Sequence, residues 1–398
     1  MMFKTINDFD FKGKKVLVRI DINSSIINGR VLESERFRRH AEAIKQIAKR
    51  NPARIVILAH QGRKGDNDFT DLKRHARILN KYVKIKFFQL LPGREALRNI
   101  EKSKDKIILI DNVRFLDDET DIEKRNNIIV DFARNFDIFV QDAFSVCHRA
   151  HATTVLIPKA IRGCIGLNVE EELKNIDQLM KRSPLLLLIG GQKVEDYLPV
   201  IKLLEKDKRN KLLAAGYLDF LIRISQGFDY GAQNQVMQEQ MQFADDIKEL
   251  YSRFSEQIVL PVDYAVESPL HRASLDIENK NKKRKEVKLG EFPSDSRIYD
   301  IGKKTIELFS REIGKANAVF IKGAFGCAEN KKFAAGTVSI LKAIAKSKKF
   351  SFISGGSVST AIKKYKIGNK FSYISLSGGA LIAYLGGEKL PGLEALRV

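Results

Sequence analysis

Eight short apolar runs, each followed by a polar or glycine-bearing turn and then by a stretch of helical period, most constrain what this chain can fold into. In the first half they are Val16-Leu17-Val18-Arg19-Ile20, Ile55-Val56-Ile57-Leu58, Ile107-Ile108-Leu109-Ile110 and Ile138-Phe139-Val140. In the second half they are Leu185-Leu186-Leu187-Leu188-Ile189, Ile258-Val259-Leu260, Ala318-Val319-Phe320-Ile321 and Phe350-Ser351-Phe352-Ile353. A strand that is apolar at consecutive positions has to be covered on both faces, and helices on either side of a parallel sheet do that. The rhythm therefore predicts α/β architecture. The 398 residues exceed one ordinary core, so two doubly wound lobes are expected. Between them, positions 169 to 180 carry apolar residues at Val169, Leu173, Ile176, Leu179 and Met180, the spacing of a connecting helix. Residues 233–292 show no clear pattern.

Charge narrows the partners without choosing among them. The chain holds 70 Lys and Arg against 49 Asp and Glu, a net +21, and such a field attracts nucleic acid, anionic lipid and small acidic substrates alike. The densest cluster, Lys280-Asn281-Lys282-Lys283-Arg284-Lys285, lacks interleaved aromatics and reads as a solvated loop, so nucleic acid is not the expected partner. No uncharged apolar stretch reaches the ~18 residues of a membrane helix, and the opening has no apolar leader. Cys147, Cys164 and Cys327 are widely spaced, without a CxxC or a Cys/His ligand pattern. A reducing, cytoplasmic setting is expected.

In open parallel sheets, ligands bind beyond the carboxyl ends of the strands. In the first half those positions hold Asp21 and Asn23, His60 and Arg63, Asp111, Asn112 and Arg114, then Asp142, His148, Arg149 and His151. Arginine and histidine recurring at neighbouring strand ends make a positive pocket, and guanidinium forks suit phosphate or carboxylate. In the second half the ends read Gly190-Gly191-Gln192-Lys193, Lys322-Gly323-Ala324-Phe325-Gly326 and Ser354-Gly355-Gly356-Ser357, then Ser377-Gly378-Gly379. Glycine lets backbone amides approach phosphates, most favourably at a helix N-terminus, and Ser357 is the expected N-cap of a helix from Val358. Neither GxxxxGK[ST] nor GxGxxG occurs. The residues by themselves predict a polyanion lobe and a nucleotide lobe, and no more.

The phrases in their order resemble the phosphoglycerate kinase family. Val18-Arg19-Ile20-Asp21-Ile22-Asn23 is similar to VRxDxN, Ala59-His60-Gln61-Gly62-Arg63 to SHLGR, Asp111-Asn112-Val113-Arg114-Phe115 to ENVRF, and positions 141 to 152 to NDAFGTAHRAHA. Further on, Gly190-Gly191-Gln192-Lys193-Val194 is similar to GGAKV, Leu260-Pro261-Val262-Asp263 to LPVD, Asp300-Ile301-Gly302-Lys303-Lys304-Thr305 to DIGPKT, and Gly336-Thr337 and Leu390-Pro391-Gly392-Leu393 complete the series. The resemblance implies a monomeric, hinge-bending cytoplasmic enzyme of glycolysis that moves a phosphoryl group between 1,3-bisphosphoglycerate and ADP, giving 3-phosphoglycerate and ATP, with Mg2+ carried on the nucleotide. It implies an N-terminal lobe of residues 1–165 plus 377–398, an interdomain helix of 166–182 and a C-terminal lobe of 183–376.

By the same resemblance, Asp21, Asn23, Arg36, His60, Arg63, Arg114 and Arg149 bind phosphoglycerate. Gly190, Gly191, Gln192, Lys193, Gly216, Lys322, Gly323, Glu329, Gly355, Gly356, Ser357 and Val358 bind the nucleotide, and Arg36, Lys193, Gly355 and Gly356 serve the transfer itself. Departures fall on the nucleotide side. Ser357 stands at the aspartate of GGGD, which leaves no protein metal ligand to name, and Ser354 stands at its first glycine. Tyr197 replaces a second lysine, and Lys322, Ala324 and Phe325 replace residues of NGPMG. They motivate an alternative, a catalytically weakened homologue that binds phosphoglycerate or associates with nucleic acid.

Overall fold

The structure, a computed structural model, describes residues 3–194, 197–267, 283–368 and 370–397. It divides into two compact units, one of Met1–Lys174 with Gly379–Val398 and the other of Asn175–Gly378. The helix Leu167–Met180 carries the chain from the first to the second.

The first unit is built on strands β1 (Lys15–Arg19), β4 (Arg54–Leu58), β5 (Lys86–Phe88), β6 (Ile107–Ile110), β7 (Ile138–Gln141) and β8 (Gly163–Ile165), with a small hairpin of β2 (Ile26–Ile27) and β3 (Arg30–Val31) between the first two. The sheet runs β5-β6-β4-β1-β7-β8, all parallel. Both faces are covered. Val16, Val18, Ile55, Ile57 and Val140 pack on Phe37, Ala41 and Ile44 of the helix Glu35–Ala48, while Leu17, Val56, Ile108 and Phe139 are equally buried on the other side. The helix is amphipathic, with Phe37, His40, Ala41, Ile44 and Ile47 on its buried face. The C-terminal residues close on this unit, Phe3 bridging Arg397 and Gly392 N–H donating to Cys147 O at 2.9 Å.

The second unit carries β9 (Leu185–Ile189), β10 (Lys211–Ala214), β11 (Ile258–Val259), β12 (Asp263–Glu267), β13 (Arg284–Lys288), β14 (Ile298–Ile301), β15 (Ala318–Lys322), β16 (Phe350–Ser354) and β17 (Tyr373–Ile374). Its parallel sheet runs β11-β10-β9-β15-β16-β17, and β13-β12-β14 form a separate antiparallel sheet. Leu186, Leu188, Val319, Ile321 and Ile353 pack on Phe309, Ile313, Ile340 and Leu341 of two covering helices, Lys303–Lys315 and Ala335–Ser347. In each sheet the chain winds outward from one central strand and then reverses to the other side. That leaves a crevice between β1 and β7 in the first unit, and between β9 and β15 in the second.

Two expectations from the sequence are corrected. Within residues 280–285, Arg284 and Lys285 lie in β13 and not in a loop, because Arg284 is drawn into ion pairs with Asp300 at 2.6 Å and Glu286 at 2.9 Å. Lys280, Asn281 and Lys282 lie outside the described residues. Ser357 is not an N-cap: the helix is Gly356–Lys364, and its N-cap is Gly355 at φ +104°, a conformation that glycine adopts without strain. The described residues of 233–292 include the α-helices Ala232–Val236 and Ala244–Phe254 and the strands β11, β12 and β13.

Candidate functional site

In the first unit the strand ends gather around His60. Arg19 is fully buried at the end of β1, where its Nε donates to Thr153 Oγ1 at 3.1 Å, its Nη1 to Ile20 O at 2.6 Å, and its Nη2 meets His60 Nδ1 at 3.0 Å. Burial, followed by the charges of Arg19, Arg114, Arg149 and Arg36, drives the His60 imidazole well below its usual 6.5. His60 is therefore neutral at neutral pH, and since Nδ1 faces a guanidinium donor, its proton sits on Nε2. The Thr153 hydroxyl passes the Arg19 contact on, donating to Glu119 Oε1 at 2.7 Å. Burial opposes ionisation of Glu119, but His151, Arg19 and Thr153 outweigh it and hold the carboxyl below its ordinary value. A buried acid thus offsets part of a concentrated positive charge.

Arg36, in the first turn of the helix Glu35–Ala48, forms an ion pair with Asp21, whose carboxylate also accepts from the Ser145 hydroxyl. Burial lowers Arg36 to about 10, with Glu172 pulling the other way, so it stays charged. His40 supports the pair from beneath: its Nε2 accepts the Asp21 N–H at 3.2 Å while its Nδ1 meets Asp142 at 2.8 Å. Asn23 Oδ1 accepts the Gly62 N–H at 3.0 Å. Arg114 donates Nη1 to Gly62 O, and its Nη2 is buried without a hydrogen-bond partner among the described residues. Burial, then Arg149 and Arg19, lowers Arg114 to about 10. Arg149 is half-buried, and Arg63, exposed nearby, pushes down on both. Arg149, Arg19 and Arg63 all depress Arg114, and Arg63 and Arg19 depress Arg149; guanidinium charge crowded in this way is a site for an anion, which relieves that repulsion. The sequence named Arg36, Arg63, Arg114 and Arg149 but passed over Arg19, His40, Glu119 and Thr153. A charge inside the run Val16 to Ile20 was the available sign of a buried partner.

In the second unit, glycine turns meet at the crevice. A Cβ at Gly323 (φ +81°) would lie 1.9 Å from Gly190 O, one at Gly190 would lie 2.4 Å from Ala324 O, and one at Gly216 would lie 2.6 Å from Gly191 O. Backbone packs here on backbone, and only glycine permits it. Gly355 Cβ would stand 3.5 Å from Gly323 N, so the N-terminus of the helix Gly356–Lys364 borders the same turns. Gln192, Lys193, Gly356 and Ser357 are exposed, whereas the Val358 side chain is buried in the core.

Beside these turns lies a cavity of about 330 Å3, lined by Gly191, Gln192, Gly216, Glu329 and Ser357 and walled by Tyr217, Phe220, Tyr264 and Tyr299. Flat aromatic and apolar walls with a carboxylate at one side suit a heterocycle carrying a polar appendage. The aromatics were not foreseen, since they come from helix Tyr217–Ser225, β12 and β14, outside the strand-end phrases. Beneath them Asp219 is fully buried and accepts from Tyr264 Oη at 2.7 Å and Arg223 Nε at 3.2 Å. Burial pushes its carboxyl up to about 7 against the pull of Arg223 and Tyr264. The folded chain then holds a proton that the unfolded chain, titrating near 3.8, releases. Stability from this group is full below the unfolded value and is lost as pH rises through the folded one. Melting temperatures between about pH 4 and 8 are expected to fall less steeply for Asp219→Asn than for the parent. Some slope remains, because Asp300 is likewise pushed to about 7 by burial, despite Arg284. Equal slopes in the two proteins would mean that Asp219 is ionised in the native state.

A parallel-sheet unit with an arginine pocket and a second with glycine turns beside an aromatic cavity define a two-unit α/β phosphotransferase. The family model for phosphoglycerate kinase matches residues 6–388. A phosphoglycerate kinase of Methanopyrus kandleri is 33% identical over 98% of this chain and 97% of its own length, and that of Methanosarcina mazei is 35% identical over 99% and 95%. The crystal structure of phosphoglycerate kinase from Pyrococcus horikoshii aligns with a TM-score of 0.88 at 29% identity, covering 99% of this chain and 98% of that one. The chain belongs to the phosphoglycerate kinase family. It is a phosphotransferase that works on a carboxyl acceptor.

Proposed function

We propose that the chain interconverts 1,3-bisphosphoglycerate plus ADP and 3-phosphoglycerate plus ATP as a monomeric cytoplasmic enzyme, with phosphoglycerate on the first unit and nucleotide on the second. Among the described residues no helix is long and apolar enough to cross a membrane. The observation that carries the reading is the set of arginines converging on a neutral His60 at one end of a parallel sheet. Arg63, Arg114 and Arg149 neutralise the phosphate, and His60 Nε2–H, Asp21 and Asn23 bind the hydroxyl and carboxyl oxygens. Arg36 leaves Asp21 to meet the carboxyl group that attacks.

On the second unit, amides of Gly191, Gly323, Gly355 and Gly356 with Gln192, Lys193, Lys322, Ser357 and the Val358 N–H hold the phosphates; Gly190, whose N–H is given to Lys322 O at 2.9 Å, contributes by its lack of a side chain. Gly216 and Glu329 face the nucleoside. A carboxylate nucleophile needs no general base, so the chemistry is positioning plus neutralisation of the moving phosphoryl group. Direct transfer requires the two ligands to meet, and a hinge between a lobe of 1–165 with 377–398 and a lobe of 183–376, at 166–182, is part of the proposal.

Magnesium is tested by the donors present. Among the described residues no three His, Cys, Asp or Glu side chains could together hold a metal ion, and Ser357 offers a hydroxyl only. The described residues therefore do not fit a resident metal, and in this reading Mg2+ belongs to the substrate, liganded by nucleotide phosphates and water. A coupled assay following ATP formation from 1,3-bisphosphoglycerate and MgADP is expected to show turnover. Tight phosphoglycerate binding with no turnover would overturn the kinase reading and leave a binding protein.

A further inference from the structure

Lys322 ends β15, the strand on one side of the second unit's crevice, and it is 7% exposed. In the sheet it stands level with Ile189 on β9 and Ser354 on β16, the residues after which the turns Gly190-Gly191 and Gly355-Gly356 begin. Its ammonium lies 5.5 Å from the centroid of the Tyr197 ring. Tyr197 is itself buried and donates its hydroxyl to Gly190 O, fixing the ring against the first glycine turn. A lysine held with so little water against an aromatic face, where glycine turns bring backbone against backbone, is placed for an anion.

We infer that Lys322 and Tyr197 work as one unit, in which the Tyr197 ring is a platform that positions the Lys322 ammonium against the β- and γ-phosphates of the nucleotide. Lys322 is the binding group and Tyr197 the positioning residue. The inference rests on the proposal that the second unit takes the nucleotide with Lys322 among its phosphate-binding groups, and it adds what places that buried ammonium, the Tyr197 ring. It also accounts for two departures together. The cation absent at position 197 stands at 322, and an aromatic ring occupies the space that a second lysine would fill.

Calorimetry with ADP and with adenosine tests the pair without requiring turnover. Lys322→Met is expected to weaken ADP about tenfold or more while adenosine binds as before. Lys322→Arg, which keeps the charge and can stack on the ring, stays within about threefold of the parent. Tyr197→Phe retains most ADP affinity, Tyr197→Leu loses it by about threefold or more, and Lys322→Met with Tyr197→Lys regains part of the loss. Melting curves confirm that each variant is folded. Equal ADP affinity in Lys322→Met and parent would overturn the inference. A Tyr197→Phe loss as large as that of Tyr197→Leu would overturn the platform role, leaving only the hydroxyl contact to Gly190. A parent that binds ADP but shows no turnover would remove the kinase reading and leave this one standing.

Discussion

Arg36→Ala is expected to lower kcat by about two to three orders of magnitude, with the KM for phosphoglycerate moving only severalfold. The reason is the division of work in the first unit. In the proposed function Arg63, Arg114 and Arg149 supply charge for ground-state binding, whereas Arg36 is already engaged by Asp21 in the structure. Exchanging that carboxylate for the reacting one makes its contribution largest in the transition state. Removal also leaves the Asp21 side chain, 5% exposed, without its guanidinium, so part of any stability loss belongs to the orphaned acid. Steady-state kinetics beside a thermal melt separates the two effects. A kcat within a few-fold of the parent would remove Arg36 from the chemistry.

The second large effect is steric. Gly323→Ala forces a methyl group to within 1.9 Å of Gly190 O at a backbone φ of +81°, where side chains are strained even in open space. A loss of roughly 3 kcal/mol or more in unfolding free energy, with ADP affinity falling beyond detection, is the expected outcome of urea denaturation and ADP titration. Gly314→Ala is the control. That glycine lies exposed in the helix Lys303–Lys315 with nothing within 4 Å of the added carbon. Alanine there should stabilise by about 0.5–1 kcal/mol. If Gly323→Ala behaved like Gly314→Ala, the two turns would not touch as described.

The parallel sheets were legible because strands buried on both faces write themselves as unbroken apolar runs. The edge strand Lys86–Phe88 and the inner strand Lys211–Ala214 were not, since both are short and open with lysine. The antiparallel sheet was less visible still: Arg284–Lys288 is charged at every position but Val287, and it pairs with Asp263–Glu267, a match that no local pattern announces. For the candidate site the same division holds. Side chains that act from strand ends, such as Asp21, His60 and Arg114, stand where topology says to look. Arg19 was hidden by being inside a strand, and Tyr217, Tyr264 and Tyr299 by reaching the cavity from three separate elements. Ser357 misled because a serine before a helical stretch signals a cap, while the chain instead used Gly355 for the turn.

Because the second unit's crevice is made largely of backbone pressed together at Gly190, Gly191, Gly216 and Gly323, a nucleotide bound there as proposed would read the path of the main chain. Side chains beside the turns, such as Ser354, Ser357, Ala324 and Phe325, can then differ from the family's usual phrases without erasing the imprint. Relatives with unfamiliar lettering around these turns should be judged by whether the glycines persist.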